Sequence, residues 1–229
     1  MTFGACLVQA FELANKRPAL WLGCVLLMAL LLGLERISLM LGILTSVSCL
    51  FVGVGIVAAI DRDEPLNLAA VISRHIGPAL LWAAVIMLCW FVFRVVANLN
   101  AGESEKIVRF FFAWELTPEN LAGKTLRQLI LWLYSSAIVA LIFVLLMINS
   151  FASWFSYPLM MFRRCGWSEA RELGRRAFNE NAGAMYKLNA FLLLCALIGM
   201  GLVPLLTPLF YMLVSTLMYV SYRQVFAPR

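Results

Sequence analysis

Five long stretches of this chain carry no charged residue: 19–34, 37–60, 77–93, 129–162 and 188–222. A helix needs about twenty apolar residues to cross a bilayer core of about 30 Å. Inside hydrocarbon, only helices and closed barrels satisfy their own backbone groups. Composition agrees, with 63% hydrophobic and 13% charged residues, against roughly 45–50% and 25% in soluble domains. The chain is therefore read as an all-α polytopic integral membrane bundle.

The runs fix the expected spans. Run 19–34 is short, but Glu35-Arg36 makes a polar turn that folds it against 37–60 as a hairpin. Run 129–162 has 34 residues, about 51 Å at about 1.5 Å per residue, so it crosses once and continues beyond the membrane. Run 188–222 carries Gly199, Gly201, Pro204 and Pro208 near its middle and divides in two. Six spans result, at about 19–34, 37–60, 77–97, 129–151, 188–203 and 208–222. The first is expected to remain as a membrane helix, because no A-x-A site follows it.

Charge sets the orientation. With the N-terminus inside, twelve Lys and Arg residues face the cytoplasm and five (Arg36, Lys106, Arg109, Lys124 and Arg127) face outward. That asymmetry is read as placing both termini in the cytoplasm.

Amphipathic segments precede each pair of spans: 3–15, with Phe3, Leu7, Ala10, Phe11 and Ala14 on one face, then 66–76 and 168–186. The junctions "RPALWLG" (17–23) and "GPALLWA" (77–83) resemble each other, with Pro18 and Pro78 placed to kink the chain into the membrane. The single transmembrane domain, 1–229, is thus read as three hairpin units, 1–64, 65–166 and 167–229, each with an interfacial helix.

The connector 156–181, "SYPLMMFRRCGWSEARELGRRAFNEN", holds the densest basic cluster: Arg163, Arg164, Arg171, Arg175 and Arg176. Ser168 is placed to cap its helix, and Glu172 to Arg176 forms an i,i+4 pair. Contact with anionic lipid is the expected role, with a partner-docking face and a phosphate site as alternatives.

Catalytic patterns are missing. There is no HExxH, GxSxG, Walker A or GxGxxG, and the single histidine, His75, cannot form a two-histidine zinc site. His75 is expected at the cytoplasmic surface beside Arg74. Arg94 is expected to snorkel to the outer surface. Asp63, in "DRDEP", is expected to cap the helix that contains Pro65. The six cysteines are far apart and read as lipophilic fillers, so no metal or cofactor is expected. Gly53, Gly55 and Ala59 read as a close helix contact. In "NSFASWFSYP", Asn149, Ser153, Ser156 and Tyr157 recur at helical spacing as a polar stripe on the fourth span. Such a stripe lines a cavity or bonds to a neighbouring helix. The outer segment 98–127 is expected to begin a helix at Thr117-Pro118, and its "VRFFFAW" to lie in the interface.

Trp154, Tyr157, Pro158, "FRRCGWSEA" (162–170), Asn181 and "YVSYRQVF" (219–226) carry a resemblance. The chain resembles a family of uncharacterised proteobacterial six-helix inner-membrane proteins and, distantly, the membrane domain of some glycerophosphodiester phosphodiesterases. That resemblance implies six helices with amphipathic connectors and no catalytic residues. The expected function is a non-enzymatic accessory or scaffold subunit of a membrane complex, in contact with the lipid bilayer and with a membrane-protein partner or a second copy. No nucleic acid is expected. The alternatives are a carrier of lipid or a small amphiphile, and an immunity protein against a membrane-directed toxin.

Overall fold

A computed structural model describes residues 1–36, 39–65, 67–102, 117–201 and 204–226. Among the described residues all regular structure is helical. The elements in order are α1 (Phe3–Lys16), α2 (Pro18–Leu32), a 3₁₀ turn (Gly33–Arg36), α3 (Leu39–Asp61), α4 (Leu68–Asn100) and the single turn α5 (Pro118–Leu121). Then follow α6 (Leu126–Phe151), α7 (Ser156–Arg163), α8 (Trp167–Glu180), α9 (Ala182–Gly201), a second 3₁₀ turn (Pro204–Leu206) and α10 (Thr207–Phe226).

Local chemistry explains the boundaries. Thr2 caps α1, and Pro18 sits in the first turn of α2, where its missing N–H costs nothing. Thr117 caps α5 ahead of Pro118, as its sequence predicts. Thr125 and Gln128 form a reciprocal capping box on α6. Asn67, and not Asp63, caps α4. Asp63 has a positive φ and turns back to Lys16 and Arg17 at 2.8 and 3.3 Å. A hydrogen bond from Lys16 holds its carboxyl below the usual carboxylate range, with both cations adding their charge.

Among the described residues three helices, α3, α4 and α6, are long and apolar enough to cross a membrane. The number rises to five if each of two bent pairs, α1 with α2 (97°) and α8 with α9 (96°), is one span. Helix α10 falls outside this set; its Thr207, Ser215, Thr216 and Ser221 are all buried. The expected junctions also differ. Pro18 stands at a sharp bend, whereas Pro78 lies inside the continuous 33-residue α4. The expected helix over 66–76 is therefore the first part of α4. The face of α1 is rotated too: Cys6, Ala10 and Leu13 are buried, and Phe11 is 65% exposed.

Helix α3 is the axis of the bundle. In its most apolar stretch 78% of residues are buried inside the protein, against 25% in α4 and α6. Glycine permits the closest approaches: a Cβ on Gly55 would lie 2.5 Å from Nε2 of His75 in α4, and one on Gly53 would lie 2.5 Å from Oγ of Ser215 in α10. His75 is accordingly 4% exposed, a buried residue and not the surface one expected. It bonds through Nδ1 to the Tyr157 hydroxyl, which also reaches the Phe51 carbonyl at 3.3 Å. The Tyr157 ring stacks on Phe51 with centroids 3.5 Å apart. Elsewhere on α3, Ser46 meets the Tyr211 hydroxyl at 2.7 Å, Tyr211 donates to the Ala137 carbonyl at 2.8 Å, and Ser215 donates to the Leu50 carbonyl at 2.9 Å.

One end of the bundle gathers the charges. Arg223 meets Asp61 at 2.5 Å and Gln9 at 3.2 Å, the Tyr219 hydroxyl donates to Asp61 at 2.8 Å, and Lys16 donates to the Asp61 carbonyl at 2.6 Å. The terminal amine of Met1 donates to Asn181 at 3.0 Å. The ends of α1, α3 and α10 and the start of α9 therefore share one side.

Overpacking of this kind costs about 1–3 kcal/mol, so Gly55→Ala is expected to lower the thermal midpoint in detergent micelles by several degrees. Addition of His75→Ala should recover part of that loss, because the two sites share one contact. Asp61→Ala frees Arg223 and Tyr219 together, and is expected to speed maleimide labelling of the buried Cys6 as α1 loosens.

Candidate functional site

The break between α6 and α7 builds the site. Helix α6 ends at Phe151 and the chain turns at 152–155; Pro158 then stands in the first turn of α7, where its missing N–H costs nothing. Trp154 is fully buried and donates to the Ser221 hydroxyl at 2.8 Å; Phe155 packs on Phe226 with centroids 5.5 Å apart.

Helix α8 docks on this turn through small residues, Ala170, Gly174 and Ala177. There is no room for a Cβ on Gly174, which meets Ser153 Oγ, with Ser153 Cβ at 3.2 Å. The Ser156 hydroxyl bonds to Ser153 at 3.0 Å and reaches the Ala170 carbonyl at 3.4 Å. Arg175 Nε donates to the Ala152 carbonyl at 3.4 Å, which places a cation at the C-terminal end of α6, where the helix dipole favours it. The chain then turns at Asn181, whose side chain donates to the Ala177 carbonyl at 2.9 Å, and enters α9.

Between α6, α8, α9 and α10 this arrangement leaves a cavity of about 600 Å³, inside the roughly 300–1,000 Å³ range of ligand pockets. Its walls are apolar, with Leu141 and Leu145 on α6, Leu192 and Ala196 on α9, and Leu213 and Val214 on α10. Its polar lining collects Asn149, Ser153, Arg175, Asn179, Tyr186 and Asn189. Two further wall residues, Leu146 and Leu193, are 57% and 51% exposed, so the wall between α6 and α9 reaches the outer surface.

The expected polar stripe is divided by the helix break. Asn149 and Ser153 reach the cavity, whereas Ser156 and Tyr157 begin α7 and are buried against α8 and α3. Of the expected basic cluster only Arg175 lines the cavity. Arg163 bonds to the Phe226 carbonyl and lies over its ring, and Arg164 ends α7 at φ 56°. Arg171 and Arg176, like Arg175 itself, are exposed on α8. Arg176 pairs with Glu180 at 3.1 Å, not with Glu172, and Gly166 takes the N-cap position expected for Ser168. The side chain of Arg94 and residues 103–116, which include "VRFFFAW", lie outside the described residues.

Asn189 was available to a reader of the sequence as the one amide in the run 188–222. Its significance depends on α9 standing beside Asn149, which no local pattern gives. Comparison with protein-family models, curated proteins and solved structures finds no match.

Gly174→Val is expected to lift α8 from the turn at a cost of about 1–3 kcal/mol. Trypsin cleavage at Arg171, Arg175 and Arg176, which needs α8 to open locally, should then accelerate. Addition of Ser153→Gly should slow it again by returning the missing space.

Proposed function

We propose that this protein is a multi-pass bacterial inner-membrane protein that holds a lipid or small amphiphile in the cavity between α6, α8, α9 and α10. The observation that carries this reading is the division of the lining into apolar walls and a polar group at the α6–α8 corner. That is the shape of an acyl chain with a headgroup. The cavity reaches the outer surface beside Leu146 and Leu193, so in a bilayer a hydrocarbon chain has access to it.

The proposed topology has six crossings with both termini in the cytoplasm. Helix α2 with its 3₁₀ turn, 15 and 4 residues long, spans about 30 Å in total, and α9 and α10, each of 20 residues, span about 30 Å each. In this reading α1 and α8 lie along the cytoplasmic surface, and each bend turns the chain into the membrane. The headgroup end of the cavity then sits at the depth of the inner leaflet's headgroups. The exposed leucines between α6 and α9 give a lateral way in from lipid.

An accessory subunit is the second reading, favoured by the charged outer face of α8, where Arg171, Glu172 and Arg176 are exposed. Neither reading gives the protein a catalytic role.

Ala190→Trp places an indole on the cavity lining, while Leu88→Trp places one on the exposed face of α4. After purification in mild detergent, lipid extracted from the Ala190→Trp protein should fall severalfold by mass spectrometry, with no change for Leu88→Trp. Equal lipid content in both variants and the parent would count against the cavity as the binding site.

A further inference from the structure

Resting on the reading of the cavity as an amphiphile site, we infer that its occupant carries a phosphodiester anion and, beside it, a hydrogen-bond donor such as a headgroup hydroxyl. Two independent features of the lining lead there.

The first is charge. Arg175 is the only charged group among the described lining residues, and it forms no ion pair among the described residues. Its neighbours on the lining are amides and hydroxyls (Asn149, Ser153, Asn179, Tyr186 and Asn189), which offer donors to an anion but no counter-charge. Among the described residues only the Nε–H of Arg175 is used, to hold the Ala152 carbonyl; the side chain is exposed on the cavity lining, where the Nη donors of the fork match the geometry of a phosphate.

The second is an unfilled acceptor. Asn149 donates through Nδ2 to the Leu145 carbonyl at 3.0 Å, which settles the orientation of its amide. Its Oδ1 is buried and has no partner among the described residues. A buried carbonyl left without a donor costs about 1–3 kcal/mol, and a ligand hydroxyl would remove that cost. Arg175 and Asn149 line the same cavity, so anion and hydroxyl are assigned to one headgroup, with its chain along Leu145, Leu192 and Ala196.

Full-length protein is equilibrated with mixed vesicles of equal acyl composition, and the lipid it retains is counted by native mass spectrometry. With phosphatidylglycerol and phosphatidylcholine at equal amounts, the glycerol lipid should be enriched about tenfold, the equivalent of about 1.4 kcal/mol. Arg175→Gln should abolish the enrichment and leave total retained lipid nearly unchanged, while Arg171→Gln, outside the cavity, should keep it. Phosphatidylmethanol, with the same charge and no hydroxyl, should be retained less than phosphatidylglycerol, and Asn149→Leu should level the two. Equal retention of glycerol and choline lipids, still lost on Ala190→Trp, overturns the anion assignment and leaves the cavity reading standing. Equal retention of the glycerol and methanol lipids overturns the hydroxyl assignment. Retention insensitive to Ala190→Trp overturns both the inference and the reading beneath it. Displacement of the retained lipid by inorganic phosphate alone would make the site one for free phosphate, and would overturn the lipid headgroup.

Discussion

Hydrocarbon is as apolar as leucine, so helices in a bilayer gain little by hiding leucine from it; they associate through close backbone approach and hydrogen bonds. Helix α3 is built for both. Gly53 and Gly55 let α10 and α4 come near, and Ser46 and the carbonyls of Leu50 and Phe51 are bonded from α10 and α7. Each such bond is worth about 0.6 kcal/mol, with a maximum near 1.7. Their number and direction matter more than any single one, since together they fix three partners around one axis.

The positions of α6 and α9 follow from that axis. Tyr211 joins α10 to both α3 and α6 through Ser46 and the Ala137 carbonyl, whereas the buried face of α9 offers mainly Leu188, Leu192 and Ala196. The cavity lies between these apolar faces of α6, α9 and α10 and the docked α8. The break at 152–155 that ends α6 makes the turn on which α8 seats, and so brings Arg175 to the cavity. Fold and site share these causes: a polar core on one side of α10 and a helix break on the other.

Much of the helix inventory was legible in the residues. The charge-free runs marked the apolar helices, Pro204 and Pro208 marked the break between α9 and α10, and Thr117-Pro118 marked a helix start that the structure repeats. Pro18 and Pro78 show the limit of such reading. They sit in similar heptapeptides, yet one begins a helix at a 97° bend and the other lies inside α4, because the residues before Pro78 continue as helix, with His75 on that helix held by Gly55 and Tyr157. His75 looked like a surface residue for the same reason: its burial depends on a glycine twenty positions earlier in the chain. The site was half legible. Asn149, Ser153 and Arg175 stood out by residue type, but their meeting depends on a turn at 152–155 that separates two of the four residues from the stripe. Asn179 and Asn189 join them only because α8 and α9 bend apart at Asn181.

The central claim is that the gap between α6 and α9 is occupied by an amphiphile and is not a packing defect. A structure determined by electron microscopy in nanodiscs made from native membrane tests it most directly. The account predicts elongated density along Leu145, Leu192 and Ala196 that ends in a headgroup at Arg175 and Asn149. A cavity closed by inward movement of α9, with Leu192 against Leu145 and no density between them, would contradict it.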